Sequence, residues 1–468
     1  MRRSAWLLAL ATACGSRVPP RVLPAANAGA GWSYDVVASP GGAELHVQAS
    51  FAPGSGRTMS VEGGAEPFLH DVEVQTSTGW VAVAPNDGSW TLPSCDEGCR
   101  VRYRYALAEI ARDQDDVTIA RGDGAAIEAP PSTWLLRPER AVPGFPIRFH
   151  VQPAPGELFM SGVFPAPGAP DTYEARTEGA YQMSYSAIGR IRPRAALDGV
   201  VQVAILPGDL SHESDVLAWV ERSARAVAGF YGRFPVKRLL LIVRPRPGRG
   251  AGFGTTMGHS GASIAIDVGT GATAAGLEDD WILVHEMVHT ALPDIQGPQH
   301  WLEEGLATYV EPLARHRAGI LRAEDVWSDW VHGMPNGLPV EGDQGLDRTE
   351  TWGRTYWGGA LFCLVADVTI RERTHGAHSL EDALRAIVAQ GGNISEGWPI
   401  EKILDVGDRA TGVPVLHELY ADMSVHPTPV DLEALWKRLG IAPSGKTVVF
   451  DDAAPLAAMR NAMTPKKP

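Results

Sequence analysis

Two histidines four residues apart, His285 and His289, flank Glu286 in the run "WILVHEMVH". On an α-helix, positions i and i+4 share a face, so both imidazoles can point at one ion. Neutral imidazole suits Zn2+, at a Zn–N distance of ~2.0–2.1 Å. A carboxylate beside the first ligand, here Glu286, stands where it can take a proton from a water that a metal has acidified. The competing explanation is an amphipathic helix whose histidines are merely packed. Ile282, Leu283, Val284, Met287 and Val288 argue against it, because they supply apolar support around a polar His/Glu edge.

A catalytic zinc takes three protein ligands and keeps one position open. The run "TALPDIQGP" carries Pro293, Gly297 and Pro298, so the first helix must end there and the chain can turn back. A second helix is predicted from near His300, and its "WLEEGLATYVE" offers Glu303 and Glu304 as third ligands. Successive helical residues diverge by about 100°, so both acids cannot face the ion equally. His300 reads as a loop histidine. Glu311 reads either as an acid that holds a ligand imidazole or as a solvated helix-end acid.

These residues resemble the gluzincin metallopeptidases: the membrane alanyl aminopeptidase family and, more nearly, the bacterial glycyl aminopeptidase family. There the first motif is followed by W-L-x-E-G-x-A-x-Y, which falls here on Trp301, Leu302, Glu304, Gly305, Ala307 and Tyr309. The resemblance implies a thermolysin-like domain that hydrolyses peptide bonds with one Zn2+, Glu304 as third ligand and Glu286 as general base. The link from His289 to Glu304 is shorter than in the alanyl family. The same families set a tyrosine of a Y-x-x-G segment against the oxyanion, and "GRTYWGG" puts Tyr356 and Gly359 in that pattern. A tyrosine packed beside Trp352 and Trp357 is the alternative.

The resembled enzymes also pair substrate with an exposed strand before the zinc helix, near an acid that binds the substrate's free amine. The equivalent stretch is "GFGTTMGHSGASIAID". With Met257 matching the residue before that acid, Gly258 stands in the acid's place and His259 follows. His259 is then a donor to substrate or oxyanion, or a satisfied loop histidine. The missing acid predicts cleavage at internal bonds and indifference to a blocked N-terminus. The resemblance covers residues 210–390 with specific motifs and the preceding half only in architecture. Two other readings stand beside a peptidase: a zinc hydrolase of a non-peptide bond, and a non-catalytic surface binding protein on a peptidase scaffold. Glu286 and Tyr356 count against the binder, which has no need of a base.

The elements that must carry this site follow from periodicity. At 468 residues the chain exceeds one hydrophobic core. From Trp32 to Leu206 apolar residues alternate, as in Leu45, Val47, Ala49, Phe51 and in Val101, Tyr103, Tyr105. Gly, Pro and Asp clusters separate these runs, which predicts an antiparallel β-sandwich region over 31–206. From Pro207 helical spacing appears in Val216, Val220, Ala224 and Val227, then a buried strand in "RLLLIV" and a half-buried one in "SIAIDV". The α/β zinc-peptidase domain is placed at 207–392 and a helical region at 393–468. The fold class is multidomain α+β. Ser379 and Asp382 read as an acidic capping box.

Charge and cysteines bound the partners. The net charge of −14 argues against nucleic acid, whose phosphates require a concentrated positive field. Arg2 and Arg3 precede "AWLLALA" and then Cys14, which resembles a bacterial lipoprotein signal over 1–14, with Cys14 lipidated. Ala11-Thr12-Ala13 is the alternative, an ordinary cleavage site. Either implies export to the cell envelope or beyond, with residues 15–30 as a tether and any membrane contact made through the lipid alone. In an oxidising compartment Cys95 and Cys99 pair as a disulfide, since no further soft ligands lie near for a metal. Cys363 reads as a buried core thiol.

Overall fold

Alternating apolar residues build an eight-stranded sheet. In the strand Leu45–Phe51 the four apolar side chains are buried, while His46 and Gln48 are exposed. Cys99–Tyr105 and Pro146–Gln152 repeat the pattern with Val101, Tyr103, Tyr105 and Ile147, Phe149, Val151. Neighbours in this sheet run antiparallel except Trp32–Ala38 and Pro146–Gln152, which run parallel. A three-stranded and a four-stranded sheet accompany it over a core rich in aromatic residues. These observations come from a computed structural model describing residues 31–465 apart from 94, 123, 141–142 and 296. The signal segment, the tether and Cys14 lie outside the described residues.

The second sheet begins at Arg192, before the change of periodicity at Pro207. Its spatial order is Arg192–Ala196, Val201–Ile205, Leu239–Arg246, Ser263–Gly269 and, at the edge, Ala251–Met257. Helix Glu213–Tyr231 joins two parallel neighbours, Val201–Ile205 and Leu239–Arg246. The strand expected to be half-buried, Ser263–Gly269, is buried on both faces. Ile264, Ile266 and Val268 join the helical core, whereas Ala265 joins Leu240, Ile242, Tyr185 and Ala187 against the N-terminal region. Small Ala265 and bulky isoleucines look like polar/apolar alternation from the sequence, but each face meets a different apolar layer. Between the two regions the buried carboxylate of Glu128 accepts from Arg121 (3.2 Å) and Arg244 (2.5 Å).

From Ala323 onward the chain is helical, with one hairpin, Ile441–Ser444 and Thr447–Phe450, packed among the helices. The capping box forms: the Ser379 N–H donates to Asp382 at 2.8 Å, and the Asp382 N–H donates back to Ser379. No helix among the described residues is long and apolar enough to cross a membrane. Cys95 and Cys99 form a disulfide, and Cys363 is a buried free thiol whose pKa burial raises. Residue-resolved alkylation of the native protein should therefore leave Cys95, Cys99 and Cys363 unlabelled. After denaturation without reductant only Cys363 of the three should react. Labelling of Cys95 or Cys99 at that step would contradict the bridge.

Candidate metal centre

The helix Ile282–His289 owes its position to its apolar face. Leu283, Val284, Met287 and Val288 are buried to within 1% of full, each side chain contributing roughly 1.5–3 kcal/mol. Asp280 accepts from the Leu283 N–H at its start, and the Thr290 hydroxyl donates to the Met287 carbonyl at its end. The second motif helix, His300–Ala318, follows after Pro293 and Pro298 and is stopped by Gly319 in the left-handed conformation. Trp301 and Tyr309 are its anchors. Both are buried, and each finds a carboxylate, Trp301 on Asp347 at 2.7 Å and Tyr309 on Asp367 at 2.9 Å.

The two helices bring ligand atoms of His285, His289 and Glu304 within 4.8 Å of one another. Glu304 Oε2 lies 3.1 Å from His285 Nε2 and 3.6 Å from His289 Nε2. Burial works to raise the Glu304 carboxyl, but hydrogen bonds and charge from both imidazoles outweigh it and hold the group well below the usual carboxylate range. Burial works to lower His289, yet the facing Glu304 carries it up to about 9. Glu303 turns elsewhere, receiving His300 Nδ1 at 3.2 Å. His300 is not a loop residue: it opens the second motif helix with its ring exposed. Glu311 is neither beside an imidazole nor solvated. It is buried against Arg315 at 2.8 Å.

Glu286 is buried beside the edge strand Ala251–Met257. The Thr256 hydroxyl donates to its carboxylate at 2.6 Å, and a Cβ on Gly254 would come within 2.9 Å of its Cγ. Thr256 was not anticipated; period two puts it on the face of Gly254, a signal that only the neighbouring helix makes meaningful. Tyr356 sits in a π-helical turn, Gly353–Gly358, ahead of helix Gly359–Arg373. Its ring stacks on His285 with centroids 6.3 Å apart. Burial, then the carboxylates of Glu304 and Glu286, push its hydroxyl up to about 12, so it stays a proton donor.

A cleft of about 350 Å³ joins these groups to Gly258, His259, Asp294 and Ile394. Gly258 has a packing reason: a Cβ there would stand 2.1 Å from the Ile394 carbonyl. The loop around Ile394 accepts the His259 N–H, and Ser395 accepts that of Ser260. His259 takes a left-handed conformation (φ 61°) and lies 3.5 Å from Asp294.

With this geometry in hand, similar architectures are found among solved structures. An aminopeptidase N family protein from Idiomarina loihiensis has 14% identity and a TM-score of 0.64, over 88% of this chain and 78% of that one. The chain shares its fold with an aminopeptidase N family protein and with M1 zinc metallopeptidases. An M1 zinc metallopeptidase mutant from Deinococcus radiodurans has 14% identity and a TM-score of 0.51, over 86% of this chain and 96% of that one. A two-domain M1 zinc metallopeptidase mutant bound to L-arginine has 15% identity, the same TM-score of 0.51 and the same coverage, 86% and 96%. The likeness is one of fold. No protein-family model and no curated protein matches the chain.

The gluzincin-like arrangement has a consequence for titration in the metal-free protein. Because His289 rises to about 9 from an ordinary 6.5, its contact with Glu304 stabilises the fold fully below 6.5 and fades as pH passes 9. Glu304→Gln removes the largest influence opposing burial and leaves only the weaker pull of Glu286 and Glu303, so the His289 pKa should drop well below 9 in side-chain NMR titrations. An unchanged His289 titration would mean that Glu304 does not face it.

Proposed function

We propose that the protein is a zinc-dependent peptide hydrolase of gluzincin type. The observation that carries this reading is the convergence of two imidazoles and one carboxylate, His285 buried and the other two half-buried, beside a second carboxylate and a phenol. Two neutral nitrogen donors and one oxygen donor make a set that fits Zn2+ and leaves a coordination position free. His285, His289 and Glu304 would hold the ion. When bound, zinc polarises a carbonyl and makes water a nucleophile near neutral pH.

The chain's own groups do the rest. Glu286 takes the water's proton and returns it to the leaving amine, with Thr256 fixing the carboxylate so that one oxygen faces the cleft. Tyr356 donates its hydroxyl to the oxyanion, a role that its raised pKa supports. The exposed edge Ala251–Met257 offers backbone groups to an extended peptide, as sheet edges do. That last feature favours a peptide over a non-peptide substrate.

The loop at Ile394 bears on which bond is cut. It occupies the N–H groups of His259 and Ser260, so an extended substrate cannot continue along the strand there. Asp294 and Glu303 face the same end of the cleft and bring the carboxylates that Gly258 lacks. These features favour a short reach and a free amine over the internal cleavage expected from Gly258 alone. Cleavage should slow at least 10-fold on N-acetylation, consistent with about 1.4 kcal/mol for an unpaired charge. Equal rates would return the reading to internal bonds. We also propose export with anchoring through Cys14, to be read from the mass of the mature N-terminus.

Metal analysis tests the ligand set. Glu304→Ala should lose most of its zinc while Glu303→Ala keeps it, and the reverse result would reject Glu304. Glu286→Gln should retain zinc stoichiometrically and lose hydrolysis by about 100-fold or more. Full activity in that variant would remove Glu286 as base.

A further inference from the structure

A second cavity, of about 720 Å³, adjoins the metal centre and has His285 and Tyr356 in its wall, as the first cleft does. The reacting groups thus stand between two basins. One side of the second basin is aromatic. Trp281 and Trp352 are 50% and 64% exposed, and Trp357 is half-buried beside them. Trp281 packs edge-on against His285 with centroids 5.4 Å apart, and Trp352 lies 6.3 Å from the Tyr356 ring. Large apolar rings left in water around a cavity mark a surface that a ligand covers.

The lining is also acidic. Asp279, Asp325 and Asp329 belong to it, together with the buried pair of Glu311 and Arg315. Four carboxylates therefore face one guanidinium, and that guanidinium is already paired with Glu311. Arg322 engages Asp325 from the surface, but Asp279 and Asp329 have no ion pair among the described residues. Arg315 and His332 act on Asp329 as Arg322 does on Asp325, yet the lining stays net negative, and indoles beside such a field recognise one class of group, an organic cation on an apolar stem. An apolar side chain would satisfy the rings and leave the carboxylates unanswered. A carboxylate-bearing one would be repelled.

We propose that this cavity receives the side chain of a substrate Lys or Arg adjoining the scissile bond, its methylenes against Trp281 and Trp352 and its cation towards Asp325 and Asp329. The inference rests on the peptide-hydrolase reading above. It adds a preference that the metal centre itself does not set.

Free-amino peptides randomised on both sides of the cleaved bond, digested by the zinc-loaded protein and read by mass spectrometry, test it. Lys and Arg should be enriched at one flanking position. There kcat/KM should exceed that of the norleucine peptide, which keeps the four side-chain carbons of Lys and lacks its ammonium, by about 10-fold. In Asp325→Asn/Asp329→Asn the Lys-to-norleucine ratio should fall towards one, and Trp352→Ala should lower it by a separate route. Cleavage without basic enrichment, or with Phe or Leu preferred, overturns the inference and leaves the peptidase reading standing. If no peptide is cut, that reading fails instead, and calorimetry of the Lys and norleucine peptides on zinc-loaded Glu286→Gln still decides the cavity's preference. Equal affinities there overturn it.

Discussion

The active region depends on one contact between two glycines. A Cβ on Gly305 would lie 2.2 Å from Gly359 Cα, and a Cβ on Gly359 would lie 2.0 Å from the Trp301 carbonyl. The second motif helix and the helix after Tyr356 therefore pack backbone against backbone, closer than any side chain permits. Glu304 directly precedes one glycine, and Tyr356 stands three residues before the other. The close approach is what carries both polar groups to the same imidazole, that of His285. Alanine at either position would have to push the helices apart, which in a packed core costs roughly 1–3 kcal/mol. The spacing of E-G and Y-x-x-G is thus a packing requirement with a chemical result.

Four glutamates on the two motif helices show how environment, not residue type, assigns roles. Glu304 lies between imidazoles, Glu286 under a threonine hydroxyl, Glu303 beside an exposed histidine and Glu311 against a buried arginine. Burial favours the protonated acid at Glu304 and at Glu311, and it pushes Glu311 up to about 7 despite Arg315. Only Glu304 has two imidazoles close enough to hold its charge strongly against burial. That difference is why a carboxylate held between imidazoles and a structural ion pair can sit two turns apart on one helix.

Local geometry was legible in the sequence. The i, i+4 histidines on one helix, the helix break at Pro293, the turning of Glu304 rather than Glu303 towards the imidazoles and the capping box at Ser379 all depend on residues within a few positions of one another. The β strands around Phe51 and Val101 were equally plain, because each has one face in a single core. Ser263–Gly269 was misjudged for the opposite reason, since it is covered by two different layers. Glu311 was misjudged because nothing in its own turn says how deeply the helix is buried.

What remained hidden is non-local. Gly258 looked like the loss of a functional acid, and the structure adds that the Ile394 carbonyl, arriving from the far end of the chain, leaves no room for a side chain. Asp294 and Glu303 line the same cleft, and the Asp294 N–H donates to the carbonyl of Glu396, two residues beyond Ile394, so the segment that fills the strand's end also positions a carboxylate there. The indoles follow the same logic. Trp281 and Trp352 lie far apart in sequence and become one wall only because His285 and Tyr356, on which they pack, are brought together by the glycine contact. Motif spacing can name the polar groups that converge; the shape of the cavities beside them is set by segments that the motifs do not contain.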